Sequence, residues 1–302
     1  AKGKQTLLYL NRRGYAPVTL CKSCGKKYQC GDCDFHLVLH KSKQKLACHH
    51  CGHQEKLLPK CKFCDEEDAI ISVGVGVEKV AEEVKRIFPE ARIALVTSDN
   101  VTSFEDVDKL VNQVLNCEID VIVGTQMIAK GHDFPNLNLV GVIDADAMLY
   151  SSELRALEKT YQMLTQVIGR AGRREEQGKV IIQTYNPDNF IFEQIIKNDK
   201  KTFYDFEIKN RQMLDLPPFS RLTKFEVSSF IESEAKKFAK ELIRNFPISD
   251  KIEIFGPAPA ALQRLKNRHH FFVNLKTEKK VNLQKLVLDV MQGLKIPRSV
   301  RI

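Results

Sequence analysis

No apolar run in this 302-residue chain approaches the ~20 residues needed to cross a bilayer, and no apolar segment of signal-peptide type opens it. These absences lead us to expect a cytoplasmic protein without a membrane partner, in a reducing compartment where clustered cysteines hold metal and not disulfides. Low-complexity tracts are missing, and nothing repeats except a short cysteine motif. The chain also has no Gly-x-x-x-x-Gly-Lys-Ser/Thr phosphate loop and no Asp-Glu-x-His segment. Gly74-Val75-Gly76-Val77 is no substitute, because no Lys-Ser/Thr follows it.

Cysteine, by contrast, is concentrated. Eight of the nine cysteines form four Cys-x-x-Cys pairs: Cys21/Cys24, Cys30/Cys33, Cys48/Cys51 and Cys61/Cys64. Each such turn presents two thiolates, and two turns complete a closed tetrahedral zinc site, so the count predicts two structural Zn²⁺ ions. Three pairings of the turns exist. The 14 residues between Cys33 and Cys48 are near zinc-ribbon spacing, and Phe35, Leu37 and Leu39 followed by a turn at 41–45 suggest a hairpin there. We therefore favour a nested set, with Cys30, Cys33, Cys48 and Cys51 on the inner ion and Cys21, Cys24, Cys61 and Cys64 on the outer; a cross-braced set is the runner-up. His40, His49, His50 and His53 find no vacancy and are expected around the ligands. Cys117 reads as a small, partly buried apolar residue.

Hydrophobic residues make up 43% and charged residues 28% of the chain, the balance of a globular protein of two domains and a small module. The net charge of +9 is local: residues 220–302 hold 17 Lys and Arg against 8 Asp and Glu. The stretch 21–64 that holds the cysteine pairs, with eight thiolates and two ions, comes to only about +2. A basic C-terminal surface favours an anionic partner such as nucleic acid. Within it Arg264, Lys266 and Arg268 form the densest cluster, followed by Phe271 and Phe272 on alternate faces of a strand. One of these rings belongs to the core, and the other is a candidate to stack on a base.

Between the two ends, apolar strands alternate with amphipathic helices. Strands are expected at 6–10, 18–20, 91–96, 121–123, 139–143 and 180–182. Helices are expected at 78–88, 105–115 and 152–168, the last with Leu154, Leu157, Tyr161, Leu164 and Ile168 on its core face. That alternation implies a mostly parallel sheet covered on both faces. A helical connector at 188–213 leads to the boundary Leu216-Pro217-Pro218-Phe219. Beyond it, the expected order is strand 222–227, helix 234–245, strands 252–255 and 270–275, helix 281–291 and strand 299–302, a β-α-β-β-α-β domain.

Two segments of the α/β region call for chemistry. Gly124-Thr125-Gln126 through Gly131-His132-Asp133-Phe134 follows a strand, at the carboxyl end where α/β sheets present ligand sites. Thr125 and Gln126 offer hydroxyl and amide groups, Gly131 allows close backbone approach, and Asp133 can accept from a ribose hydroxyl. Gln166-Val167-Ile168-Gly169-Arg170-Ala171-Gly172-Arg173-Arg174 ends the long helix. Its guanidinium groups suit phosphate, although a helix end rich in Arg and closed by Gly also has a purely structural explanation.

In their order along the chain, Asn11-Arg12-Arg13-Gly14-Tyr15, the four cysteine pairs, Val123 to Pro135, Asp144-Ala145-Asp146 and Gln166 to Arg173 resemble the replication-restart family of superfamily 2 DNA helicases. The segments 123–135 and 166–173 correspond to motifs V and VI. The resemblance covers essentially the whole chain. It implies a RecA-like second helicase lobe with a parallel sheet (1–20 and 69–215), an inserted two-zinc module (21–68) and a small α+β C-terminal domain that binds DNA or partners (216–302). It implies ATP and Mg²⁺ in the full-length enzyme, with Arg170 and Arg173 on the ATP phosphates, Gln166 coupling ATP to the lobe interface, and Gly131 and Asp133 in the nucleotide cleft. Thr125 and Gln126 would touch single-stranded DNA. The implied activity is 3′-to-5′ unwinding of forked DNA and primosome assembly, with single-stranded DNA-binding protein, primosome proteins and a replicative helicase loader as partners, in the bacterial cytoplasm at the nucleoid. On this reading the chain is a C-terminal portion, expected to bind DNA and zinc without efficient ATP hydrolysis. The competing readings are a zinc-ribbon nucleic-acid adaptor without motor activity and, far less compatible with four clustered pairs, a thiol-disulfide oxidoreductase.

Overall fold

The structure is a computed structural model, and it describes residues 4–10, 18–40, 44–74, 76–97, 101, 103–125, 134–149, 153–171 and 178–302. In chain order the elements begin with β1 (Gln5–Leu10), β2 (Val18–Cys21), β3 (Val38–His40), β4 (Lys45–Ala47), β5 (Gln54–Lys56) and β6 (Ile70–Val73). There follow α1 (Val77–Ile87), β7 (Ile93–Val96), α2 (Phe104–Leu115), β8 (Val121–Gly124), β9 (Leu137–Ile143), α3 (Asp146–Leu149), α4 (Ala156–Ile168) and β10 (Lys179–Ile182). The remainder is α5 (Phe190–Lys197), α6 (Lys200–Met213), β11 (Ser220–Ser229), α7 (Glu232–Arg244), β12 (Ile252–Leu265), β13 (Arg268–Glu278), α8 (Leu283–Gly293) and β14 (Val300–Arg301). These residues divide into two compact units, Ala1–Pro17 with Gly74–Tyr204 and Val18–Val73 with Asp205–Ile302.

The first unit is built on a five-stranded sheet of order β10-β9-β1-β8-β7, parallel throughout. Its strands are apolar on both faces because helices cover both, the pattern that parallel sheets require. Leu7, Tyr9, Val140 and Val142 are buried with Tyr161, Leu164 and Val167 of α4; burying a side chain of this size contributes about 1.5–3 kcal/mol. Tyr161 stacks on Phe203 with centroids 3.9 Å apart. Two local devices fix the frame. Ser103 and Asp106 form a reciprocal capping box at the start of α2. The side chain of the buried Gln5 donates to the carbonyls of Val114 and Ile119, each at 2.8 Å, tying β1 to the end of α2.

The second unit joins the cysteine-rich segment to the C-terminal domain. The latter is the expected β-α-β-β-α-β arrangement, with sheet order β12-β13-β11-β14. One sheet face packs Phe225, Val227, Phe271, Val273 and Leu275 against Phe238 and Leu242 of α7 and Val290 of α8. In the cysteine-rich segment β3, β4 and β5 form a small antiparallel sheet, which includes the expected hairpin, while β2 and β6 pair as its stem. The segment therefore interrupts the first unit in sequence but packs with the C-terminal domain.

Several boundaries differ from expectation for physical reasons. Leu154 lies ahead of α4 and is exposed, so the core stripe starts at Leu157. The connector is broken at Asn198, which takes the left-handed conformation (φ 52°) between α5 and α6. β12 runs ten residues past the expected end, through Pro257 and Pro259, because its pairing with β13 shifts register between Phe255 and Ala258 and again between Pro259 and Arg264. Proline is tolerated in strands at such irregularities, which sequence periodicity does not reveal. Among the described residues no helix is long and apolar enough to cross a membrane.

Gly256 sits at the first irregularity with φ 116°, where a Cβ would lie 2.6 Å from the Phe272 carbonyl oxygen. Gly256→Ala is expected to lower stability by about 1–3 kcal/mol, to be measured as a drop in the denaturant midpoint.

Candidate metal centres and strand-end site

The eight paired cysteines converge on two centres. Cys21, Cys24, Cys61 and Cys64 form one and Cys30, Cys33, Cys48 and Cys51 the other, with all four sulfurs of each set within 4.8 Å of one another. This is the nested pairing. The sulfurs of Cys21 and Cys64 are 3.7 Å apart, those of Cys24 and Cys61 3.9 Å, and those of Cys30 and Cys51 3.6 Å. A tetrahedron with Zn–S bonds of about 2.3 Å has edges of about 3.8 Å, whereas a disulfide would bring sulfurs to about 2.05 Å. The donor set thus fits one Zn²⁺ in each cluster, and the thiols are free.

Backbone geometry explains how such short turns hold their ligands. In three of the four, the N–H four residues past the first cysteine donates back to that cysteine's carbonyl: Gly25 to Cys21, Gly52 to Cys48 and Asp65 to Cys61, each at 2.9 Å. All three donors have positive φ (70°, 83° and 58°), which is why two are glycine. Amides also point at sulfur, from Cys24 to Cys21, Asp32 to Cys30, His53 to Cys51 and Phe63 to Cys61. The fourth turn, at Cys30–Cys33, is closed differently. The Asp34 N–H donates to the Arg264 carbonyl of the C-terminal domain at 2.9 Å, and the Lys266 N–H points at the Cys33 sulfur at 3.5 Å.

The histidines surround the ligands. His53 lies 3.4 Å from Asp32 and 3.3 Å from Glu55 through its two ring nitrogens, His50 packs edge-on against Phe35, and His40 is buried beside His49. Without metal, the thiols resist ionising together. Burial pushes Cys30 up to about 11, and pushes Cys33 up to about 12 against the pull of the Lys266 amide. The Glu66 amide favours the Cys64 thiolate, but desolvation and the neighbouring Cys21, Cys24 and Cys61 thiols outweigh it and raise Cys64 to about 12. Burial opposes ionisation of Cys61 too, yet the Tyr28 hydroxyl and the Phe63 and Cys64 amides bring it to about 6. A divalent ion reverses these penalties and lets all four thiolates of a site coexist.

In the first unit, β1, β7, β8 and β9 end at Leu10, Val96, Gly124 and Ile143. Their carboxyl ends bring together Thr97, Thr125 and the Asp144-Ala145-Asp146 segment on one edge of the sheet. Thr125 is half-buried, and its N–H donates to the Val96 carbonyl, prolonging the β7–β8 pairing. Asp144 takes the left-handed conformation with φ 53°. Asp146 is buried and accepts from the Thr184 hydroxyl and the Tyr185 N–H, both at 2.8 Å, so this carboxylate fastens the exit of β9 to that of β10. Gln166 is exposed on the last turn of α4, and Arg170, one residue past the closing Gly169, is buried. Gln126, Gly131, Asp133 and Arg173 lie outside the described residues, as does Asn11-Arg12-Arg13-Gly14-Tyr15.

The basic cluster of the C-terminal domain is divided by its surroundings. Arg268 is buried; its guanidinium donates to the carbonyls of Ser228 (2.7 Å) and Ser299 (3.1 Å) and lies 4.6 Å from the Phe230 ring. That is a packing role in place of the phosphate contact expected from sequence. Arg264 is spent on Asp34 and the Gly31 carbonyl. Lys266 alone of the three is exposed. Phe271 is the core ring of its pair, while Phe272 is half-buried on the opposite sheet face with the Lys224 ammonium 3.2 Å from its centroid. Sequence reading missed the role of Asp32 and Asp34; the only signal was their position flanking Cys33, opposite in charge to the distant Arg264.

Comparison with known proteins places these features in one class. Residues 56–175 match the helicase conserved C-terminal domain, residues 30–56 the PriA DNA helicase Cys-rich region domain and residues 212–302 the primosomal protein N C-terminal domain. The chain is 42% identical to replication restart protein PriA of Rickettsia prowazekii over 99% of its own length and 46% of that protein, and 37% identical to PriA of Bacillus subtilis over 98% and 37%. With PriA of Haemophilus influenzae the identity is 31%, over 97% of this chain and 40% of that protein. Among solved structures, the C-terminal domain of the DEAD-box protein Dbp5 aligns with 67% of this chain and 71% of its own at 12% identity and a TM-score of 0.34. The first unit and the cysteine-rich segment are thus a helicase C-terminal lobe and a zinc-binding Cys-rich region. The chain belongs to the PriA family, and it spans less than half the length of these relatives.

Because Cys30, Cys33 and Cys64 lie at about 11, 12 and 12, they are protonated at neutral pH in the metal-free protein, and zinc must displace their protons. Loading both ions at pH 7 should therefore release at least three protons, with apparent affinity rising as pH rises. Calorimetry in buffers of different ionisation enthalpy measures the number; a release below three would contradict the assignment.

Proposed function

We propose that the chain is the second motor lobe, zinc module and C-terminal domain of an ATP-dependent 3′-to-5′ DNA helicase that acts on stalled or forked DNA and starts primosome assembly. The observation that carries this reading is the union, in one chain, of a helicase C-terminal lobe with the two regions characteristic of PriA. In that enzyme Arg170 and Arg173 contact the ATP phosphates, Gln166 couples nucleotide state to the lobe interface, and Gly131 and Asp133 line the cleft. ATP and Mg²⁺ are the cofactors of the assembled motor, and the two zinc ions are structural. Thr125, at the carboxyl end of β8, and Gln126, next in sequence, contact single-stranded DNA. Lys266 makes the phosphate contact of the basic cluster, with Arg264 and Arg268 holding the turn that carries it, and Phe272 is the ring available to a base. Single-stranded DNA-binding protein, primosome proteins and a replicative helicase loader are the protein partners of this reading, and the bacterial nucleoid is its place.

The parts that hold the triphosphate and Mg²⁺ in such motors are absent from these 302 residues, so the chain alone should bind forked DNA without appreciable ATP hydrolysis. In the full-length enzyme, Arg173→Ala or Arg170→Ala should lower DNA-stimulated ATPase by about 10³ while zinc content and DNA binding persist. Undiminished ATPase in both variants would instead favour an adaptor without motor activity. A salt titration of DNA binding separates the contacts: Lys266→Ala should reduce the logarithmic salt slope by about 1, whereas Phe272→Ala should weaken binding with the slope unchanged.

A further inference from the structure

We propose that the turn joining β12 to β13 is part of the inner metal site, so that this zinc is held only while the C-terminal domain is docked on the cysteine-rich segment and the two ions differ in lability. The proposal rests on the two-zinc reading of the clusters. Its basis is the asymmetry between the sites. The outer cluster draws its amide donors to sulfur from Cys24 and Phe63, within the cysteine-rich segment itself. The inner cluster has such local donors in Asp32 and His53, but it adds the Lys266 N–H from a turn more than two hundred residues away in sequence.

Four consecutive residues of the Cys30–Cys33 turn and its exit are engaged. The Gly31 carbonyl accepts from the Arg264 guanidinium at 2.8 Å. The Asp32 carbonyl accepts the Asn267 N–H, and its carboxylate accepts the Asn267 side-chain amide, both at 2.8 Å. The Cys33 sulfur faces the Lys266 N–H. The Asp34 carboxylate accepts the Arg264 N–H at 2.8 Å, while the Asp34 N–H takes the Arg264 carbonyl in place of the internal bond that closes the other three turns. Leu265 packs with the buried cysteines. Lys266 and Asn267 have φ of 51° and 59°, the tight two-residue hairpin conformation that projects their amides toward the cluster. The second carboxylate oxygen of Asp32 meets His53, which follows Cys51, so Asp32 links both ligand turns of this ion to the same distant hairpin. Groups of this kind around a metal site alter its hold on the ion by about 10–100-fold when removed.

The test uses the zinc-loaded chain and the variant Arg264→Ala/Asn267→Gly, in which glycine keeps the left-handed turn while both side-chain anchors are lost. Zinc content is measured first, so that a wild-type chain lacking two ions would count against the metal assignment and not against the coupling. Thiol alkylation mapped by mass spectrometry, with released zinc followed by a chelating dye, then gives a rate for each cluster. We expect Cys30, Cys33, Cys48 and Cys51 to be modified about tenfold faster in the variant, with one equivalent of zinc lost at that rate and Cys21, Cys24, Cys61 and Cys64 unchanged. Asn267→Gly alone, the milder change, should accelerate the same four cysteines by a smaller factor. Unaltered inner-cluster rates in both variants, or equal acceleration of both clusters, would overturn the proposal.

Discussion

Eight thiols crowded into 44 residues can ionise together only around cations, and the cysteine-rich segment depends on that constraint. Its buried apolar side chains are few, chiefly Tyr28, Leu37, Leu39, Leu46 and Ala69, and the ligands themselves form much of its interior. So small a core leaves little hydrophobic stabilisation to offset chain entropy. Metal binding supplies the missing term, because the free energy of coordination is also folding free energy. The β3–β4–β5 sheet and the β2–β6 stem frame the two clusters, while the 30–34 turn is held in addition by the hairpin at 264–267.

The helicase lobe obeys a different constraint. Its sheet is parallel and covered on both faces, so polar groups that must meet a ligand collect where the strands end. β1 lies between β9 and β8, and the chain leaves the sheet at Leu10 on the same edge that carries Thr97, Thr125 and Asp144. That is the edge where α/β folds present their binding residues. Asp146 shows how that edge is kept in place, since its buried carboxylate accepts from Thr184 and Tyr185 and so fastens the exit of β9 to that of β10.

How much of this was legible in the sequence depended on the distance over which each feature is determined. The clusters were readable because Cys-x-x-Cys spacing is local and loop length selected the nested pairing. The parallel sheet and the β-α-β-β-α-β domain were readable because their strands and helices keep a clear period. Two residues of the basic stretch were misread: Arg264, which closes the inner site, and Arg268, which packs within its own sheet. Arg264 and Arg268 were grouped with Lys266 as a phosphate-binding cluster because neighbouring charges suggest a common purpose. What separates them is tertiary: Asp34 lies 230 residues from Arg264, and the Ser228 and Ser299 carbonyls that accept from Arg268 belong to other strands or loops. The continuation of β12 was hidden for a related reason, because Pro257 and Pro259 argue against a strand until its irregular pairing is seen.

The same distinction changes the meaning of the C-terminal charge. An excess of +9 sets the sign of the long-range attraction for an anion whether or not individual cations are paired. It does not identify contacts. Arg264 is neutralised by Asp34, Arg268 is buried among carbonyls, and Lys276 lies 3.2 Å from both Asp215 and Glu253. The exposed basic residues of α7, Lys236, Lys237, Lys240 and Arg244, carry charge at the surface instead. Attraction of an anion is therefore a property of the domain as a whole, whereas within the densest basic stretch of its sequence the Arg264 side chain holds a hairpin against the inner cluster.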